Sequence, residues 1–148
     1  MVRNQSYQVF NENEHTGILL LCDHATNVIP QSVSKTSLGL TQEELESHIS
    51  YDIGALATAK KIAKNLNSPL ISSRFSRLVI DPNRSQQDPT LIMQLYDESL
   101  ITGNLNLNKK QIQSRIINFY DPYHHKIRNY IAEEKNSKSS LMIISIHS

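Results

Sequence analysis

Gly17-Ile18-Leu19-Leu20-Leu21-Cys22-Asp23-His24-Ala25-Thr26-Asn27-Val28-Ile29-Pro30 is the stretch on which the fold turns. Its apolar run, Ile18 to Cys22, is too short for a helix and lacks the alternation of a half-exposed strand. That pattern predicts a strand covered on both faces, as in a parallel or mixed sheet. Polarity then changes within one residue. Asp23 and His24 follow the carboxyl end of the strand, where open α/β sheets gather their ligands, and Pro30 marks the onset of irregular backbone. Active-site residues are expected here before anywhere else.

Further along, Leu141-Met142-Ile143-Ile144-Ser145-Ile146 ends in His147-Ser148 and predicts a second buried strand. Parallel neighbours would bring His24 and His147 together at one end of the sheet. Between them, Thr41-Gln42-Glu43-Glu44 has the spacing of a capping box and predicts a short helix. From Asp52, the residues Ile53, Leu56, Ala59, Ile62, Ala63 and Leu66 recur at three- and four-residue steps, which predicts an amphipathic helix. Leu70–Ser72 and Leu78–Ile80 are expected as short strands, the second stopped by the turn sequence Asp81-Pro82-Asn83-Arg84.

Lys109 to Lys135 carries a helical stripe with Pro122 inside it. Either a new helix begins there with Asp121 as its cap, or one long helix bends. Residues 1–16 read as an extended lead-in and Asn136–Ser140 as a loop. The order of elements predicts an α/β fold, a mixed and mostly parallel sheet flanked by helices.

A chain of 148 residues fits one domain, 1–148, burying roughly two thirds of its unfolded surface. With 15 basic against 14 acidic residues and a net charge of +1, nothing favours nucleic acid or an anionic membrane as partner. No apolar stretch approaches the ~18 residues of a spanning helix, and Met1–Ser6 leads into no signal-peptide core. A soluble, cytoplasmic protein is expected. Cys22, the single cysteine, permits no intramolecular disulfide and reads as a buried small hydrophobe.

A hydrolytic zinc site takes three protein ligands from histidine and carboxylate and leaves a fourth position for water. His24 and His147 qualify by position. Asp52 reads from spacing as a helix N-cap and, as the alternative, as a ligand. Asp23, beside His24, is placed to orient an imidazole by hydrogen bond. His48 reads as a helix-end residue, His124 and His125 as solvated helix residues, and His15 receives no role. Arg74, Arg77 and Arg84 cluster about one turn, and arginine's planar fork suits a carboxylate substrate as well as it suits a surface ion pair. Asp81 and Asn83 read as turn formers.

Six motifs in this order resemble those of the N-formylglutamate amidohydrolase family. They are Cys-Asp-His-Ala-Thr-Asn-Val-Ile-Pro at 22–30, Leu-Gly-Leu at 38–40, His-Ile-Ser-Tyr-Asp-Ile-Gly-Ala at 48–55, Ser-Arg-Leu-Val-Ile-Asp-Pro-Asn-Arg at 76–84, Tyr-His-His at 123–125 and Ile-His-Ser at 146–148. The resemblance implies a phosphorylase/hydrolase-like, zinc-exopeptidase-like fold, C-terminally truncated relative to the family. It also implies a metal-dependent amidohydrolase with His24, Asp52 and His147 on zinc or another divalent metal, and with Arg77, Arg84 and Asn83 contacting the substrate. That substrate would be a small acidic N-acyl amino acid such as N-formylglutamate. The family's general base lies beyond Ile-His-Ser, and Glu43, Glu44, Glu133 and Glu134 read as solvated helix residues. A non-catalytic or split relative is therefore the alternative, one that self-associates or takes a complementing C-terminal polypeptide. A peptidoglycan amidase, the third reading, fits the metal pattern but lacks an export signal.

Overall fold

The computed structural model describes residues 6–137 and 140–148. Residues 1–5 of the expected lead-in and 138–139 of the expected loop lie outside them. Its main sheet has four strands in the order β1-β3-β2-β6: β1 (Tyr7–Phe10), β2 (Ile18–Cys22), β3 (Leu70–Ser73) and β6 (Met142–Ser145). β2 runs parallel to both β3 and β6, while β1 closes the far side of β3 in the antiparallel sense. The sheet is therefore mixed and mostly parallel. A separate hairpin joins β4 (Leu95–Tyr96) to β5 (Ser99–Leu100).

Helices cover both faces. Successive residues of a strand point to opposite sides, so Leu20 and Leu70 face α2 (Ala55–Leu66), where Ala55, Ala59 and Ala63 let the helix approach closely. Leu19 and Ile71 face the other way, onto Tyr123, Ile127 and Tyr130 of α4 (Asp121–Ser137). The uninterrupted apolar run of β2 is thus explained by two helical layers. Each fully buried leucine contributes about 1.5–3 kcal/mol relative to exposure.

Thr41 and Glu44 form the expected capping box on α1 (Gln42–Glu46): the Thr41 hydroxyl accepts from the Glu44 N–H, and the Glu44 carboxylate accepts from the Thr41 N–H. The Pro122 region resolves towards the continuous helix. α3 (Lys109–Arg115) passes into a π-turn over Ile116–Tyr120 and on into α4 without a break. Proline has no N–H and crowds the carbonyl four residues back; the wider π-turn immediately upstream absorbs that misfit. α4 continues through Ser137, beyond the expected helix end.

Leu78–Ile80, expected as a strand, is turn and irregular backbone instead, with the Val79 N–H on the Ser76 carbonyl at 2.9 Å. All three side chains are nevertheless fully buried. Their apolarity reports burial between loops, not extended backbone. Here the carbonyls that a sheet would satisfy are met by side chains: Asn104 donates to Leu78 and Met93, and Arg115 donates to Val79.

No helix among the described residues is long and apolar enough to cross a membrane. Cys22 is fully buried, and that burial, reinforced by the charges of Asp23 and Asp52, pushes its thiol up to about 12.

Candidate functional site

The two strands that end in histidine are parallel neighbours. β2 and β6 pair from Ile18 opposite Met142 to Leu21 opposite Ser145, and the Ile146 N–H extends the ladder to the Leu21 carbonyl. His24 and His147 therefore leave the sheet together, their rings edge to face with centroids 5.2 Å apart. The Asp52 N–H donates to the His24 carbonyl at 2.9 Å, which brings the Asp52 carboxylate to the pair.

Asp52 is not the helix cap. Gly54 occupies that position with φ +82°, a left-handed backbone that glycine adopts without strain, and leaves the Asp52 side chain for the site. One ligand atom each from His24, Asp52 and His147 can be chosen so that all lie within 4.8 Å of one another. His24 and Asp52 are buried, while His147 is 35% exposed and forms the open side.

Both imidazoles are held alike. His24 Nε2 lies 2.7 Å from Asp81 Oδ1, leaving Nδ1 turned to Asp52 Oδ2 at 3.4 Å. His147 Nδ1 lies 2.8 Å from the same Asp52 oxygen, and its Nε2 is 3.0 Å from Ser145 Oγ and 3.4 Å from Asp23 Oδ2. Asp23 itself accepts from the Tyr123 hydroxyl at 2.6 Å and from Ser145 Oγ at 3.2 Å. Asp23 thus serves the distant His147, not its neighbour His24.

Two observations fit a divalent cation here. His24 Nδ1 is buried with no hydrogen-bond partner among the described residues. An imidazole that donates Nε2–H to a carboxylate presents the lone pair of its Nδ1 to a metal. The 3.4 Å between His24 Nδ1 and Asp52 Oδ2 matches the roughly 3.4 Å between ligand atoms of a tetrahedral zinc, while the 2.8 Å from His147 Nδ1 to the same oxygen is a hydrogen bond that a bound ion would replace. The second observation is charge. Three buried carboxylates, Asp23, Asp52 and Asp81, gather around the two imidazoles, with Arg77 within 3.5 Å and the more exposed Arg84 at 3.9 Å, a concentration of acidic groups that suits a cation.

Burial by itself raises the Asp81 carboxyl. The His24 hydrogen bond and charge, the Asn83 N–H and Arg77 together outweigh it and hold Asp81 below the ordinary carboxylate range. Burial, then the charge of Asp23 and the hydrogen bond to it, pushes the Tyr123 phenol well above its ordinary range, so it remains a donor.

Sequence reasoning did not find Asp81, Tyr123 or Ser145. Asp81 does form the expected turn, accepting from the Asn83 N–H at 2.9 Å, but the same oxygen also meets His24. The available signal was its place directly after a buried apolar run, the place Asp23 also holds. Asp81→Asn is expected to lower zinc affinity by about 10- to 100-fold, the usual effect of losing a partner that orients a ligand. Competition with a chromophoric chelator measures it, and an unchanged affinity would remove that role.

The remaining expected residues lie further out. Arg77 is 12% exposed, with its terminal nitrogens 3.5 Å from Asp52 Oδ1 and 3.4 Å from Asp81 Oδ2. Arg84 is 45% exposed, and its Nε is 3.9 Å from Asp81 Oδ2. Asn83 is exposed beside it. His48 pairs with Asp97 on the surface. Half-buried His124 meets the Pro82 carbonyl at 2.9 Å, and exposed His125 meets Asn129. His15, given no role above, pairs with Glu134, and Glu134 is fully buried rather than solvated. A cleft of about 990 Å³ that includes Ser6, Ser32, Ser114 and Asn118 shares no residue with the cluster.

A family model described as N-formylglutamate amidohydrolase matches residues 16–148. Among solved structures, a gene product of Agrobacterium tumefaciens is 32% identical with a TM-score of 0.93, covering 98% of this chain and 57% of that one. The N-formylglutamate amidohydrolase of Ralstonia eutropha is 19% identical with a TM-score of 0.68, covering 97% and 56% respectively, a likeness of fold alone. The chain spans a little over half the length of both solved proteins. No curated protein matches it.

Proposed function

Because the chain belongs to the N-formylglutamate amidohydrolase family, we propose that it holds zinc or another divalent metal on His24, Asp52 and His147 and hydrolyses the amide of an acidic N-formyl or N-acyl amino acid. Family membership supports an amidohydrolase-like function. The observation that supports the metal reading is the buried, unpartnered His24 Nδ1 facing the oxygen that His147 also faces. When bound at such a site, zinc supplies Lewis acidity and a water whose pKa falls to about 7.

The chain's own residues do the positioning. Asp81 fixes the His24 imidazole by its outer nitrogen, Ser145, which donates to Asp23, does the same for His147, and Tyr123 holds Asp23 in turn. Substrate approaches on the exposed side of His147. Arg84, exposed at the rim with Asn83 beside it, holds the substrate's acid group.

N-formylglutamate offered to the zinc-loaded chain should release formate. In Arg84→Ala the KM should rise by about 10- to 100-fold, the loss of a charge-assisted hydrogen bond worth roughly 1.5–3 kcal/mol. The asparagine variant of Asp52 serves as the inactive control.

A second reading has its own support. Asp23, Asp52 and Asp81 are each already matched to an imidazole or to the guanidinium, so the buried cluster supplies no spare carboxylate as general base. On that reading the chain binds metal or an acidic ligand, and turnover requires a second copy or a complementing polypeptide. Zinc bound without hydrolysis of any N-acyl acidic amino acid would decide for it.

A further inference from the structure

We infer that Arg77 is a positioning residue that braces Asp52 against Asp81, not an arm that reaches for substrate. The inference rests on reading His24, Asp52 and His147 as a metal centre. Its two terminal nitrogens face different carboxylates, Asp52 Oδ1 at 3.5 Å and Asp81 Oδ2 at 3.4 Å. A guanidinium carries its donors in one rigid plane, so holding both ends sets the spacing and tilt of the two carboxylates.

The consequence falls on the ligands. Asp52 is held by Oδ1, which leaves Oδ2 turned to both imidazole Nδ1 atoms. Asp81 is held by Oδ2, which leaves Oδ1 for His24 Nε2. One side chain thereby orients a ligand directly and a second ligand through its anchor.

Burial points the same way. Arg77 is 12% exposed, with its guanidinium 5.3 Å from the centroid of the Tyr96 ring on the β4–β5 hairpin. An arm for an incoming acid needs donors that face solvent. Arg84, at 45% exposed and with one long contact to Asp81, has that freedom, while the terminal nitrogens of Arg77 are both engaged. Electrostatics completes the case. Asp52 and Asp81 are both buried around His24, and Arg77 is the cation that faces the two at once.

Zinc affinity, measured by chelator competition, tests this on the whole chain. Arg77→Ala should bind zinc about 10- to 100-fold more weakly than the parent, and free guanidinium ion at low millimolar concentration should restore part of the loss. Arg77→Lys, which keeps the charge but not the fork, should stay weak. An unchanged affinity in Arg77→Ala, a full recovery in Arg77→Lys or a loss that guanidinium does not relieve would each overturn the bracing role. A metal-free measurement separates this from the metal reading. In denaturant unfolding of the apo chain, Arg77→Ala should be non-additive with both Asp52→Asn and Asp81→Asn; additivity with either overturns it. Failure of the parent chain to bind zinc would overturn the metal centre and leave the bracing role to be decided by that cycle.

Discussion

Asp52→Asn is expected to remove tight zinc binding while leaving the fold in place. The substitution keeps the shape of the side chain and an oxygen for Arg77, but it takes away the charge on the one oxygen that faces both imidazoles. Losing a ligand should exceed the ~10- to 100-fold effect of losing a ligand's anchor. A loss of more than ~100-fold is therefore expected, with an unfolding midpoint close to that of the parent. Chelator competition reads the affinity and denaturant titration the stability. Binding within threefold of the parent would mean that Asp52 is no ligand, and the hydrolase reading would lose its chemistry.

The second large effect is on stability, and it comes from outside the cluster. Arg115 is buried, and burial brings its guanidinium down to about 10, still charged at neutral pH. It donates to the Val79 carbonyl at 2.8 Å and to Asn104 Oδ1 at 2.7 Å, and Asn104 in turn donates to Leu78 and Met93. Arg115→Met fills similar space but strands two buried acceptors, at about 1–3 kcal/mol each. A destabilisation of roughly 2–6 kcal/mol is expected in urea unfolding. Because the pinned turn lies between Arg77 and Asp81, zinc affinity should fall as well. Loss of stability without any change in zinc affinity would show that the turn holds its shape unaided.

The sheet was legible from β2, whose uninterrupted apolar run reflects coverage on both faces, whereas the equally apolar β6, expected as a second buried strand, lies at the sheet edge with Met142 and Ile143 exposed. The capping box at Thr41 was legible because its two hydrogen bonds are local in sequence. What escaped was long-range. Asp81 sits 57 residues from His24 and looks like any aspartate before proline, since one oxygen makes the turn and the site together. Glu134 reads as a solvated helix residue until His15, 119 positions away, is laid against it. Asp52 illustrates the limit of spacing rules: a polar residue near a helix start predicts a cap, and only the left-handed backbone at Gly54 shows that the cap lies elsewhere. The turn at Leu78–Ile80 escaped because apolarity reveals burial and not backbone shape, and Asn104 and Arg115 supply what a neighbouring strand would have supplied.

The π-turn at Ile116–Tyr120 sets the rotational phase of everything after it. Its single extra residue per turn places Phe119 against Phe75, with ring centroids 5.4 Å apart, and aims Tyr123 at Asp23. The widened turn absorbs that residue and keeps the following segment near the phase of a regular helix one residue shorter; tightening the turn to α geometry with the residue kept would rotate that segment by about 100°. Tyr123 would then swing off the sheet, and the hydroxyl that steadies Asp23 would be lost with no residue of the metal cluster altered. Insertions and deletions between that turn and Tyr123 should therefore be far less tolerated than in the loops, and chemistry at the sheet's end depends on a local miscount in a helix that contributes no ligand.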